Sequence, residues 1–509
     1  MALDHDLFAR AFSRRAVLKG GGAAVLATQA GLLDQLAFAP NRLAMAATAP
    51  PDIQFDIGSF IPPAQTINGV VVRFATVYTL FVPAKLSRTP TKADQATLAN
   101  ALNTIEANIP FSPSGVFTFV SYGLPYFRRL PSTLVNSRIP KLASSTSRSV
   151  LEEAVPSPTD VVSGNGITKK TFNVPVQIES NDVLFTLRSD SAGLLANIAN
   201  WVAGSNNLNG NSVPSPQFNG LFSFQTARLM FQQNGLPRQV ADTAGLPFAG
   251  RINPQSPMWM GFADQQVNAS GPAQIVTFAG NASAHLTTAK AGDYFDNGSI
   301  QHLSHDIQDL AQFYETAQQD PAGVGETFQE RVQYMFRSNQ KGTKDGLPSD
   351  GNSDQFTNGG GPAFLNNTFQ GTGDALANIN VNGTVFNPST GAGTFGGEHR
   401  MGHIAALQRS SRAADGTPIH IRMDGAGFTS MDVPDGSTQP TLEFTVFVPS
   451  AEFFRAMRSN TAALDIIAAN GNLVADEDNG LERFITATRR QNFLCPPRRH
   501  RAFPLLELT

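Results

Sequence analysis

A histidine, an arginine and an apolar run follow one another between residues 398 and 448. His403 lies among small and apolar residues, where an imidazole must find a hydrogen-bond partner or a metal. Arg422 follows after 422 − 403 = 19 residues in an apolar, strand-like run, where burying it is costly unless something anionic meets it. The alternation from Leu442 to Val448 predicts a strand with one apolar face. A metal-competent nitrogen, a fixed cation and an apolar wall are what a haem pocket requires.

Each of these residues also has a purely structural interpretation. A lone histidine is more often a hydrogen-bonded structural residue than a ligand. His399, four residues before His403, is a competing ligand if the segment is helical. Arg422 could form an ordinary salt bridge, for which Asp424 is a partner close in sequence.

The order and spacing of these residues resemble those of the dye-decolorizing peroxidases, a family of haem enzymes. The resemblance implies that His403 is the proximal ligand of the iron of haem b and that Arg422 is the distal arginine. It also implies that Leu442 and Phe444, separated by one residue, line the distal face of the haem. The fold known for that family consists of two ferredoxin-like units.

An upstream acidic residue completes the resemblance. The family's GFxDG motif is matched here by Gly261-Phe262-Ala263-Asp264, with Gln265 in place of the final glycine. Cleavage of peroxide needs a group that moves a proton and a cation that stabilises developing charge. Asp264 would do the first and Arg422 the second. The alternative interpretation of Asp264 is a turn residue, and Gln265 departs from the pattern because glycine permits backbone conformations that a side chain forbids.

Three functions follow from this set of residues. The first is an exported haem peroxidase that uses hydrogen peroxide to oxidise a small organic reductant. The second is a haem-binding protein of the same fold without turnover. The third is a haem-free, secreted binding module. Binding of haem separates the third function from the other two, and peroxide-dependent turnover separates the first from the second.

Composition excludes other classes of function. Among 509 residues, 37 are basic and 40 acidic, so the net charge of −3 gives no electrostatic case for binding nucleic acid. The single cysteine, Cys495, excludes a disulfide framework and any cysteine-rich metal or iron–sulfur site. The chain is long enough for two domains, and its composition permits an oligomer.

Residues 1–46 are predicted to be a twin-arginine export signal. Arg14 and Arg15 precede a run rich in glycine, alanine and leucine, which ends at a small-residue site at Ala46. Asp34 inside the run argues against a stable membrane anchor. The mature protein would begin near Ala47 and be periplasmic or extracellular.

The apolar pattern predicts a ferredoxin-like βαββαβ unit in domain 47–250. The pattern and the resemblance together imply a second such unit in domain 251–509, so the fold class is expected to be α+β. In the first unit a helix starts after Thr89 and another is capped by Asp190, between strands at 70–83, 116–122, 182–188 and 221–232. In the second unit strands are expected at 274–280, 419–423, 442–448 and 484–489, and helices at 307–317, at 327–337 and from residue 450. The glycine-rich loop 341–397 is either a cover over the cofactor edge or a plain insertion.

Overall fold

A computed structural model describes residues 33–37, 49–63, 65–67, 70–72, 75–254, 256–261, 273–280, 286–315, 394–395, 398–399, 420–462, 464 and 480–509. Within these ranges the chain is a mixed α+β protein, as its sequence predicts. None of the helices in these ranges is long and apolar enough to cross a membrane.

The first half of the chain forms a ferredoxin-like unit. Its elements follow the order βαββαβ: β1 (Tyr78–Leu86), α1 (Lys92–Asn108), β2 (Phe117–Gly123), β3 (Val183–Ser189), α2 (Ala192–Val202) and β4 (Arg228–Phe231). The strands are antiparallel and lie in the order β2-β3-β1-β4. Strands β2 and β3 are buried along their whole length, which explains why their sequences are rich in apolar residues on both faces.

The second half repeats this plan after helix α3 (Leu236–Ala244). Its strands are antiparallel and lie in the order β6-β7-β5-β8, which is again ferredoxin-like. The elements are β5 (Ser299–Gln308), β6 (Gly425–Thr429), β7 (Gln439–Val448), α4 (Ala451–Thr461) and β8 (Ile485–Cys495). Between β5 and β6 the described residues include one helical turn, Leu310–Phe313, and a short strand, Ile421–Arg422, that pairs with β7.

The two units join at two seams into a closed barrel of eight strands. At one seam β8 pairs with β2 through Phe493–Gly123 and Leu494–Tyr122. At the other seam β4 pairs with β6 through Phe231 and Ala426. Each seam therefore joins the second strand of one unit to the fourth strand of the other, and the units are related by an approximate twofold axis.

Aromatic side chains fill much of the barrel interior, while the helices cover its outer face. The aromatic side chains include Phe81, Phe117, Phe119, Phe447 and Phe493, and Leu184 packs among them. Each of these six side chains is fully buried and contributes about 2 kcal/mol to stability through the hydrophobic effect. The alternation of side chains along each strand thus separates an inner face from an outer face that lies under the helices.

Side chains cap the N-termini of α1 and α2. The N-cap of α1 lies two residues after the predicted position, and that of α2 lies one residue after it. In α1, Thr91 accepts from the backbone N–H of Asp94, and Asp94 accepts from that of Thr91, which is a capping box. In α2, Ser191 rather than Asp190 is the N-cap. Asp190 instead accepts a hydrogen bond from the backbone of Val77.

Asp34 also reaches the start of α2. Its carboxylate accepts hydrogen bonds from the backbone N–H groups of Ala192 and Gly193, both at 2.8 Å, and from the hydroxyl of Ser191. A carboxylate is favoured here because the first N–H groups of a helix have no partner within the helix. Of the predicted export signal, residues 33–37 are described, and they pack against the folded barrel through Leu33.

The predicted elements of the second unit need the largest corrections. The strand expected at 274–280 is a 3-10 helix, Ala273–Val276, followed by a turn, and its apolar side chains pack into the core. The helix expected at 307–317 was placed too early. Residues 307 and 308 belong to β5, where Ile307 pairs with β7 on one side and with β8 on the other, and the described helical turn is Leu310–Phe313. The helix expected at 327–337 lies outside the described residues. So does the 341–397 loop, apart from a two-residue strand, Thr394–Phe395, that pairs with Glu398–His399.

Other predicted strands differ in their bounds. The strand expected at 70–83 is split between a short hairpin strand, Val70–Val72, and β1, and that expected at 221–232 is split between Phe222–Phe224 and β4. Strand β8 runs six residues beyond the predicted end at 489. The remaining short elements are Gly58–Phe60, Gln65–Ile67, Leu124–Phe127, Ser132–Arg138, Gln177–Ile178, Asn207–Leu208, Asn211–Ser212, Ala249–Arg251, Glu482–Phe484, Arg498–His500 and Leu506–Leu508.

Candidate functional site

An apolar wall lies on the outer face of β7, the face under the helices. Leu442, Phe444 and Val446 share this face because side chains alternate along the strand. Leu442 and Phe444 are half-buried, whereas Val446 is completely buried. The ring of Phe454 in α4 lies 5.9 Å from that of Phe444, so this helix covers part of the wall.

Arg422 lies at one end of the wall. It pairs with Val446 across an antiparallel ladder, and paired residues project to the same face of a sheet. The structure therefore brings Arg422, Leu442 and Phe444, three of the residues singled out in the sequence, onto one face. His403 and Asp264 lie outside the described residues. Trp259, five residues before Asp264 in the sequence, is described, and its indole N–H donates a hydrogen bond to the carbonyl of Gly427 in β6.

Strand β5 adds polar residues to the same face. His302, Ser304 and Asp306 pair with Val446, Phe444 and Leu442 respectively, so they lie beside the wall. Asp306 is therefore four residues along β7 from the position of Arg422, a separation of about 13 Å along the strand. The wall has a carboxyl group at one end and a cation at the other.

Asp306 is the titratable group at the Leu442 end. It is 5% exposed, and its Oδ1 atom has no hydrogen-bond partner among the described residues. Burial raises the pKa of Asp306 to about 6, against the opposing effects of Arg490 and Arg458. A carboxyl group with such a pKa exchanges a proton near neutral pH, which is what a general acid or base requires.

Arg490 of β8 is held rigidly beside this face. It forms a bidentate ion pair with Asp160, at 2.7 and 2.8 Å, and donates a third hydrogen bond to Ser304 at 2.7 Å. Burial opposes the charge on both partners, but their attraction outweighs it, so the pKa of Arg490 is raised and that of Asp160 is lowered. Both groups are therefore charged, and Asp160 ties a loop of the first unit to the second unit.

His302 is structural, although its residue type suggests a metal ligand. Its Nδ1 lies 2.7 Å from Asn492 and its Nε2 lies 2.7 Å from Ser304, while its ring stacks on Phe454. Burial, helped by the nearby Arg490, holds the pKa of His302 well below its usual value, so the ring is neutral. With both nitrogens engaged, His302 offers no lone pair to a metal. Across the ranges that the structure describes, no group of three His, Cys, Asp or Glu residues could hold a metal ion.

Sequence reasoning missed Asp306 and Arg490. The local sequence carried only a weak signal for Asp306: His302, His305 and Asp306 fall within five residues, but the segment does not alternate between apolar and polar residues as a half-buried strand does. Arg490 and Asp160 are 330 residues apart in the chain. Their pairing carries no local signal in the sequence.

Comparisons with known proteins give a family and a set of distant structural likenesses. The model of DUF7405, a family of unknown function, matches residues 77–358. No curated protein matches the sequence. Three solved structures illustrate the likeness in three dimensions.

A dye-decolorizing peroxidase from Bacteroides thetaiotaomicron is 13% identical with a TM-score of 0.42, over 88% of this chain and 97% of that chain. The encapsulated DyP-type peroxidase from Mycobacterium smegmatis is 13% identical with a TM-score of 0.40, over 88% and 98%. A DypB variant from Rhodococcus jostii in complex with heme is 11% identical with a TM-score of 0.41, over 84% and 94%.

Proposed function

The chain belongs to the DUF7405 family, which has no known function, and we propose that it is an exported haem protein that uses hydrogen peroxide to oxidise a small organic reductant. The observation that carries the proposal is the shared sheet face of Arg422, Leu442 and Phe444, residues that the sequence resemblance had assigned to the distal side of a haem. The proposal of export is based on the Arg14-Arg15 motif. The twin-arginine pathway carries folded proteins, so a cofactor can be inserted before translocation.

The described residues fit a haem on this face. Leu442 and Phe444 offer apolar, half-buried surface, with Arg422 at one end of the wall and the buried carboxyl of Asp306 at the other. His302 is already engaged at both nitrogens, so the iron ligand has to come from another segment. His403 is the residue that the sequence nominates. When bound, haem would supply an iron centre that activates peroxide.

Each candidate residue of this chain would have a separate role. His403 would hold the iron, while Leu442 and Phe444 would contact the porphyrin and exclude water. The guanidinium of Arg422 would stabilise negative charge that develops on the peroxide oxygen. Asp264 is the proton carrier that the resemblance implies. Asp306 is a second carrier, supported by its burial and its pKa of about 6.

The first test is the absorption spectrum of the full chain expressed in haem-supplemented cells. We expect a Soret band in the wild type, because an axial imidazole retains haem in the pocket. His403→Ala should lose the band and the bound haem, measured by extraction. His399→Ala is the matched control, since it removes the competing imidazole four residues away and should leave the spectrum unchanged.

Two results would contradict this assignment in different ways. Loss of the band in His399→Ala alone would move the ligand to His399 and keep haem. A folded but colourless wild type would overturn the haem proposal and leave a haem-free binding module of the same fold.

The second test is peroxide-dependent turnover of an organic reductant by the haem-loaded protein. Arg422→Leu should lower the rate by about 100-fold, because one preorganised donor to developing negative charge is worth roughly that factor. Arg422→Lys should recover part of the rate, since it keeps the charge. The control is Arg128→Leu, which removes an exposed arginine paired with Glu153 at the surface. Unchanged turnover in Arg422→Leu would show that Arg422 is a structural residue.

A further inference from the structure

A cleft opens beside the seam between β4 and β6. The two strands share a single pair of residues, Phe231 and Ala426, and are not paired beyond it. A small, partly open cleft borders this seam. It is lined by residues of both units and of the N-terminal segment 33–37, among them Leu33, Arg228, Leu229, Phe428, Met431 and Glu443.

Two buried, oppositely charged side chains border the cleft. Arg228 is 3% exposed and Glu443 is 1% exposed. Arg228 forms an ion pair with Glu179 through Nη2, but its Nε and Nη1 atoms have no hydrogen-bond partner within the described ranges. Glu443 contacts Nδ1 of His305 through Oε1 at 2.5 Å, and its Oε2 has no partner in the same ranges.

Unpartnered polar atoms at this depth are unfavourable. A buried donor or acceptor without a partner costs roughly 1–3 kcal/mol, and more when the group is charged. Both side chains border one cleft, so a hydroxyl bound there is a candidate partner for an N–H of Arg228 and for the Oε2 of Glu443. These two side chains are the polar anchors of the candidate binding site.

The charge around these anchors decides what kind of ligand fits. Burial would raise the pKa of Glu179, but Arg228 and Arg489 outweigh it and hold the pKa below its usual value, so Arg228 already faces an anion. Glu443 similarly outweighs the burial of His305 and raises the pKa of that imidazole. Glu179 and Glu443 would repel an anionic ligand, and Arg228 would repel a cationic one. An uncharged hydroxyl group can donate a hydrogen bond to Glu443 and accept one from Arg228, so it complements both side chains.

Apolar residues form the other side of the cleft. Leu229, Phe428 and Met431 provide a surface for a hydrocarbon body. Leu33 of the N-terminal segment 33–37 also contributes; it is 3% exposed and its carbonyl accepts a hydrogen bond from the hydroxyl of Tyr78 at 2.9 Å. Because Asp34 is also held at the start of α2, Leu33 occupies part of the cleft in the full chain.

We propose that this cleft binds a small, uncharged alcohol or phenol, whose hydroxyl donates to Glu443 and accepts from Arg228 while its hydrocarbon body packs on Phe428 and Leu229. Glu443 lies on the inner face of β7, opposite to Leu442 and Phe444, so the cleft is separate from the proposed haem wall. The inference does not rest on the proposed function. Leu33 restricts access in the full chain, and trimming its side chain enlarges the site.

The test is calorimetric titration of the full chain with cyclohexanol and with cyclohexyl methyl ether. The ether keeps the oxygen acceptor and lacks the donor, so we expect it to bind about 10-fold more weakly or worse. Leu33→Ala should bind cyclohexanol several-fold more tightly than the wild type does. Glu443→Gln should reduce the preference for the alcohol, because the amide is a weaker acceptor than a carboxylate.

Glu443→Gln also weakens a buried pair and could prevent folding, so a second variant tests the site independently. Thr429 lines the cleft and is half-buried, and Thr429→Phe should abolish binding by filling the space. The control is Thr104→Phe on the surface of α1, which should bind cyclohexanol like the wild type. Equal binding of alcohol and ether, binding that survives Thr429→Phe, or no saturable binding to either wild type or Leu33→Ala would each overturn the proposal.

Discussion

Replacing Arg490 by methionine is expected to destabilise the protein by about 3–5 kcal/mol, because it leaves the Asp160 carboxylate buried without its cation. Arg490 and Asp160 are 2% and 4% exposed, and two parallel hydrogen bonds join them. Methionine keeps most of the buried volume, so the loss reports on charge rather than on packing. Urea denaturation at neutral pH measures the difference in the free energy of unfolding.

Arg455→Met is the matched control for this prediction. Arg455 lies on α4 and forms a longer, more exposed ion pair with Glu152, at 3.6 Å, and losing an exposed pair of this kind costs about 1 kcal/mol or less. The double variant Arg490→Met with Asp160→Asn should recover part of the lost stability, because it removes the stranded charge. An Arg490→Met effect no larger than that of Arg455→Met would mean that water reaches Asp160.

Asp306→Asn is expected to stabilise the protein by an amount that depends on pH. The folded protein holds the Asp306 proton up to about pH 6, whereas the unfolded chain releases it near pH 4. Wild-type stability therefore falls as the pH rises through this window, by about 3 kcal/mol in total. Asparagine carries no such proton, so the advantage of the variant should be small at pH 4, grow up to pH 6 and stay constant above it.

Denaturation of both proteins at pH 4, 5, 6 and 7 measures this difference directly. Asp242→Asn, at the surface of α3, controls for the loss of one negative charge from the whole protein. A stability difference that does not change with pH would mean that Asp306 is already ionised or already neutral throughout the range. In that case the role of Asp306 as a proton carrier would lose its support.

The sequence predicts the first unit well and the second unit poorly, for a physical reason. Strands β2 and β3 are buried by apolar residues, so their pattern is visible in the sequence. Strand β5 is equally buried, but it contains His302, Ser304, His305 and Asp306. Hydrogen bonds, largely to other strands, offset the cost of burying these polar side chains. A polar segment of this kind resembles a surface segment until its tertiary partners are known.

The candidate site divides in a similar way. The placement of Leu442 and Phe444 on one face follows from alternation alone, and the strand character of Arg422 follows from its apolar neighbours. The sequence could not place Arg422 opposite Val446, because strand register depends on the whole sheet. Nor could it show Arg490 beside Ser304, since that contact joins residues 186 positions apart.

The two seams of the barrel make this single chain comparable to a symmetric dimer. Each ferredoxin-like unit offers the same two edges, and each edge pairs with the opposite edge of the other unit, as in two identical subunits around a twofold axis. The helix-covered face of the first unit carries a small apolar pocket, while the same face of the second unit carries Arg422, Asp306 and Arg490. Because the two units belong to one chain, their equivalent faces can carry different residues, whereas in a homodimer every substitution appears on both copies of a face.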